Sequence, residues 1–221
     1  MCQKIEHLLS LLQRQTVIPV LLIDNLQNAV PLARALAKGG LKTIEVTLRT
    51  QNALAAIKII TQEVPELTVG AGTILNSAQY EHAERAGAKF IISPGLSNEL
   101  IDCAKNSEVP LLPGVVTPSE CITALENGYS HLKFFPAKAA GGITFMQALA
   151  SPFPEIQFCP TGGITQKNAI QWLRLPNVFC VGGSWLAPQQ LIAANDWNAI
   201  SALAHAASQL LPQPTKARST T

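Results

Sequence analysis

From residue 17 onward the chain alternates between two patterns. Short, nearly continuous apolar runs give way to longer segments whose apolar positions recur every three or four residues, the spacing of one helix face. "VIPVLLI" (17–23) leads into "NAVPLARALAKGG", "KTIEVTLR" (42–49) into "NALAAIKIITQEV", and "LTVGAGT" (67–73) into "SAQYEHAERAG". "AKFIISPG" (88–95) precedes "NELIDCAKNSE", and "VPLLPGVV" (109–116) precedes "PSECITALENG". "HLKFFPA" (131–137) is followed by "GITFMQALASP", "IQFCPTGG" (156–163) by "TQKNAIQWLRL", and "VFCVGGSWL" (178–186) by a last helix over 189–211. Asn28, Asn52, Ser77, Asn98, Ser119 and Thr165 stand near the helix entries, as caps or first-turn residues.

Apolar strands that alternate with helices predict a parallel sheet covered by helices. Eight such units in about 200 residues match a small (β/α)₈ TIM barrel, with the amphipathic stretch "MCQKIEHLLSLLQRQT" as an extra N-terminal helix. An open doubly wound sheet usually has fewer strands and often a G-x-G-x-x-G helix entry, and no such glycine signature opens a helix here. One domain over 1–212 is expected, with a frayed polar tail at 213–221.

Composition narrows the function more than the fold. Of 221 residues 48% are apolar and 14% charged, and the net charge of +2 carries no basic stripe, so no nucleic-acid partner is expected. The apolar runs fall well short of the roughly twenty residues of a membrane span, and the N-terminus lacks the apolar centre of a secretory signal. A cytoplasmic protein without a membrane partner is expected. Cys2, Cys103, Cys121, Cys159 and Cys180 are an odd, scattered set without a CxxC pair, which reads as reduced thiols. The four histidines show no ligand spacing either, so neither metal nor other cofactor is expected.

In a barrel the reactive groups lie at the C-terminal ends of the strands. "TIEVTLR" puts Glu45, Thr47 and Arg49 two apart, on one strand face. "HLKFF" puts Lys133 and Phe135 on one face and Phe134 on the other. An ammonium is costly to remove from water, so a lysine inside an apolar strand needs either an ion partner or a reason to be neutral. Glu45 and Lys133 facing each other across the barrel fit a structural pair, and equally a neutral amine that attacks a carbonyl. "PTGGI" and "VGGSWL" end the last two strands, where barrels commonly bind phosphate, and paired glycines let backbone N–H groups approach an anion. "GAGT" with Thr73 and "SPG" with Pro94 and Gly95 fit a close approach of backbone to ligand.

Together "EVTLRT", "VGAGT", "ISPG", "LKFFPA", "FCPTGGI" and "GGSWL" resemble the 2-keto-3-deoxy-6-phosphogluconate (KDPG) and 4-hydroxy-2-oxoglutarate (KHG) aldolases over about residues 15 to 190. The resemblance implies a class I aldolase on a (β/α)₈ barrel, a homotrimer without a metal, acting on a phosphorylated 2-keto acid and releasing pyruvate. By motif, Lys133 would form the Schiff base and Glu45 would transfer protons. Arg49 and Thr73 would hold the substrate carboxylate, Pro94 and Phe135 would line the pocket, and Thr161 would sit beside the substrate's middle. Gly162, Gly163, Gly183 and Ser184 would receive the phosphate. One departure stands out: where many family members carry "EANGG" after "FFPA", this chain has "KAAGG", with Lys138. Two rival readings keep the phosphate site: an isomerase or synthase without an imine, and a non-catalytic metabolite-binding barrel.

Overall fold

The computed structural model describes residues 4–12 and 15–210. Nine parallel strands are present among the described residues: β1 (Val17–Leu21), β2 (Thr43–Thr47), β3 (Thr68–Gly72), β4 (Phe90–Ile92), β5 (Leu111–Leu112), β6 (Gly114–Val115), β7 (His131–Phe134), β8 (Gln157–Pro160) and β9 (Val181–Gly183). They form a six-stranded sheet, β5-β4-β3-β2-β1-β9, and a three-stranded sheet, β6-β7-β8. The expected eight-stranded barrel ladder is therefore not continuous. One break falls at Pro113, which has no N–H to donate and divides "LLPGV" into β5 and β6. At the other seam β8 meets the β9 region only through the isolated bridges Phe158↔Val178 and Thr161↔Gly182.

Period-two alternation gives the strands two unlike faces. Val17, Leu21, Ile44, Val46, Val69, Ala71, Ile91, Leu132, Phe134 and Val181 join the main core, which they share with the helices. The opposite face carries a second cluster of Ile18, Phe90, Ile92, Leu112, Cys159 and Cys180, closed by Leu8 and Leu12 from α1 (Ile5–Leu11) and the residue after it. On that same inner face stand the buried polar side chains Thr43, Glu45, Thr47 and Lys133.

The helices are α2 (Ala29–Lys38), α3 (Ala53–Glu63), α4 (Ser77–Arg85), α5 (Asn98–Asn106), α6 (Pro118–Glu126), α7 (Gly142–Leu149), α8 (Ala169–Leu173), α9 (Gln189–Ala193) and α10 (Trp197–Ser208). Asn76, Ser97 and Thr117 cap α4, α5 and α6 by accepting a backbone N–H, and Glu120 completes a capping box with Thr117. Ser77, Asn98 and Ser119 therefore lie in the first turns, and Asn28 and Asn52 sit at caps without a side-chain capping bond. The single helix expected over 189–211 is two, separated where Asn195 turns left-handed (φ 53°) and Asp196 caps α10. No helix among the described residues is long and apolar enough to cross a membrane. The tail at 213–221 lies outside the described residues.

Candidate active site

At the carboxyl ends of the strands a cleft of about 220 Å³ opens, lined from β1, β2 and its following turn, β3, β4, β7, β8 and β9. Lys133 lines this cleft, and Glu45, which lies behind the lining, meets its ammonium. Both are buried, 5% and 1% exposed, and Lys133 Nζ donates to Glu45 Oε1 at 3.3 Å. Among the four ion pairs of the described residues this one alone is buried; the others are surface pairs such as Arg34–Glu63.

Strand register explains the meeting. Glu45 lies opposite Gly70 on β3, and Lys133 lies between Gly114 on β6 and Cys159 on β8. The Lys133 backbone N–H donates to Pro113 O at 2.8 Å, so the residue that breaks the sheet also anchors the lysine's strand. Gly72 makes room for the carboxylate: a Cβ there would overlap Glu45 Oε1. That requirement was invisible in the sequence, where "GAGT" reads only as a place for close approach to a ligand. The ammonium also lies over the Phe135 ring, 5.4 Å from its centroid.

Beside this pair the cleft wall runs from the buried Thr47 to the exposed Arg49. Thr47 Oγ1 donates to Leu21 O at 2.8 Å and accepts from Arg49 Nε at 3.1 Å. Arg49 lies beyond the end of β2, in a turn rather than on the strand face expected for it, yet its guanidinium still lines the cleft. Thr47, which the sequence placed only by alternation, is what orients it. Thr73 lines the cleft with φ at 60°, a backbone region that β-branched residues rarely occupy and that costs about 1–3 kcal/mol. Pro94 lines the opposite wall, and Gly114 permits its backbone to pack closely on β6.

Thr161, Gly162, Gly163 and Ser184 form the rim. Gly162 and Gly163 have φ of 100° and 77°, and neither N–H has an acceptor among the described residues. Gly183 departs from expectation: a Cβ there would strike the Trp185 ring, and it is Gly182 that lines the cleft. The alternation of 180, 182 and 184 on one face carried that signal.

Other candidate groups are held back from reactivity. Burial, the Cys159 thiol beside it and the charge of Glu45 hold the Cys180 thiol well above its ordinary pKa, so it remains protonated. Burial pulls His131 below the usual imidazole value, and its ring lies edge-on to Phe179, outside the cleft lining. No three His, Cys, Asp or Glu side chains among the described residues gather as metal ligands. A buried lysine touching a carboxylate at the bottom of an open cleft can perform amine–carbonyl chemistry with an adjacent proton carrier.

Comparison with known proteins points the same way. The family model for KDPG and KHG aldolase matches residues 8–203. The chain is 50% identical over 188 residues to a 2-dehydro-3-deoxy-phosphogluconate aldolase of Pseudoalteromonas atlantica, covering 85% of this chain and 87% of that one. It is 46% identical over 198 residues to the KHG/KDPG aldolase of Escherichia coli K12, covering 90% and 93%. A crystal structure of KDPG aldolase from Legionella pneumophila, with pyruvate captured as a covalent carbinolamine, superposes with a TM-score of 0.88 at 46% identity, over 90% of this chain and 97% of that one. Likeness of this extent shows that the protein belongs to the KDPG and KHG aldolase family and is a lyase.

Proposed function

We propose that the protein is a class I aldolase that cleaves 2-keto-3-deoxy-6-phosphogluconate to pyruvate and glyceraldehyde 3-phosphate, and also accepts 4-hydroxy-2-oxoglutarate, giving pyruvate and glyoxylate. The observation that carries the reading is Lys133 Nζ, buried and 3.3 Å from Glu45 Oε1 at the base of the cleft. Glu45 takes a proton from the lysine, leaving an amine that adds to the C2 carbonyl. Glu45 gives that proton to the carbinolamine hydroxyl, which leaves as water, so that a protonated imine forms and Glu45 is again a carboxylate. Glu45 next takes the proton of the C4 hydroxyl, the C3–C4 bond breaks, and its electron pair moves into the iminium as an enamine while the aldehyde forms. The proton held by Glu45 returns to C3, and water hydrolyses the imine to free pyruvate and the amine.

Arg49, steadied by Thr47, and Thr73 hold the substrate carboxylate near Lys133. Pro94 and Phe135 flank the reacting carbons, and Thr161 faces the middle of the substrate. Gly162, Gly163 and Ser184 receive the phosphate through backbone and hydroxyl donors, with Gly183 shaping that turn against Trp185. The two parallel sheets are read as parts of one (β/α)₈ barrel in a single domain, an inference supported by the bridges at one seam and the one-residue gap at the other. A homotrimer in the cytoplasm completes the proposal, on the strength of the family resemblance.

Borohydride added with pyruvate tests the mechanism. The expected result is a carboxyethyl group on Lys133 and on no other lysine, found by peptide mass spectrometry. Lys133→Arg keeps the charge without a usable amine, and should lose both the adduct and the cleavage while remaining folded. Cleavage by that variant at the wild-type rate would overturn the imine.

A further inference from the structure

Lys138 belongs to no ion pair among the described residues, and it sits where a phosphate would be felt. Two backbone bonds fix its position. Ala137 N donates to Thr161 O at 2.8 Å and Lys138 N donates to Gly162 O at 3.0 Å, zipping the turn after β7 onto the glycine rim. From there the side chain runs across Gly163: a Cβ on that glycine would lie 2.9 Å from Lys138 Cδ and 3.2 Å from its Cγ. The ammonium is only two bonds beyond Cδ, so it is tethered beside a cleft-lining glycine whose N–H has no protein acceptor. The Gly163 carbonyl accepts from Asn168 Nδ2 at 3.1 Å, which ties down the left-handed loop.

Resting on the phosphate-site reading above, we propose that Lys138 is a specificity-determining residue: its ammonium supplies a second, side-chain cation for the substrate phosphate beside the backbone donors of Gly162 and Gly163. Lysine suits such a rim because it acts as a mobile point charge and needs no fixed fork geometry. Being exposed, it contributes through a screened attraction, so its effect depends on salt and on the charge at the far end of the substrate. The carbon chemistry at Lys133 stays outside its reach. The residue therefore raises the preference for a phosphorylated six-carbon acid over an acid ending in a carboxylate.

The test compares wild type with Lys138→Met, Lys138→Arg and Lys138→Glu. Methionine keeps the aliphatic stem over Gly163, so a role limited to packing would leave it silent. We expect the ratio of specificity constants, phosphorylated substrate over 4-hydroxy-2-oxoglutarate, to fall about fivefold in Lys138→Met, the scale of a screened charge contact, through KM rather than kcat. The fall should be larger in Lys138→Glu and near absent in Lys138→Arg, and it should shrink as salt rises. Inorganic phosphate should inhibit wild type competitively and Lys138→Met more weakly. Equal inhibition of both proteins, or equal losses on both substrates, overturns the role of Lys138 while the glycine site stands. If inorganic phosphate does not compete even with wild type, the rim is no phosphate site and both readings fall.

Discussion

The floor and the rim of the cleft are built by different means. At the floor, Glu45 and Lys133 are side chains locked by burial, by each other and by the absence of a side chain at Gly72. At the rim, the polar groups are chiefly backbone N–H groups of left-handed glycines, exposed or half-exposed, with Lys138 packed alongside. A carboxylate and an ammonium in a dry place interact strongly and tolerate no misplacement, whereas donors in water can be rearranged at small cost. The division suits the two halves of the proposed reaction. Bond cleavage needs fixed partners near the lysine, and a distant phosphate needs attraction more than precision.

Substitutions at the two ends should therefore differ in kind as well as in size. Glu45→Gln removes the proton carrier while keeping the shape, and should lower kcat by about 10²–10⁴-fold with imine trapping slowed but still measurable. Turnover within twofold of wild type would move the role to another group. Gly72→Ala adds one methyl group where the carboxylate lies, displacing Glu45 from Lys133. A loss of about tenfold or more in kcat is expected on both substrates alike, since misplacement by an ångström can cost about a hundredfold. An unchanged rate would show that Glu45 can relocate without penalty. Gly162→Val places a β-branched residue at φ 100°, so it should lose stability by about 1–2 kcal/mol, read as a lower denaturation midpoint. Its catalytic signature should be selective, with a loss of several-fold in the ratio of specificity constants favouring the phosphorylated substrate. Equal losses on both substrates would erase the distinction between floor and rim.

The floor was the more legible of the two from sequence, for a physical reason. A lysine in "HLKFF" and a glutamate in "TIEVT" contradict their own apolar surroundings, and period-two alternation tells which neighbours share their face. Gly72 was not legible in that way, because its necessity comes from a carboxylate on another strand. The rim was read in part. "PTGGI" pointed to a loop that lines the cleft, but in "VGGSWL" it is Gly182 that lines it, while Gly183 gives space to Trp185. A double glycine announces close approach without saying to what. The break at Pro113 and the split at Asn195–Asp196 had local signals, a missing donor and an Asn–Asp cap pair. The alternating pattern of longer elements outweighed both.

Leu8 and Leu12 give the site a further property. They fill out the apolar cluster on the inner face that also carries Glu45 and Lys133, both buried, and Lys133 lines the cleft on the other side. An amine reached through that cleft imposes an order of traffic on the proposed reaction. The water expelled when the imine forms and the water that later hydrolyses it pass through the same mouth as the substrate. Held against Lys133, pyruvate stays until the aldehyde half, nearer the mouth, has gone. Release is thus sequential, with glyceraldehyde 3-phosphate first and pyruvate last.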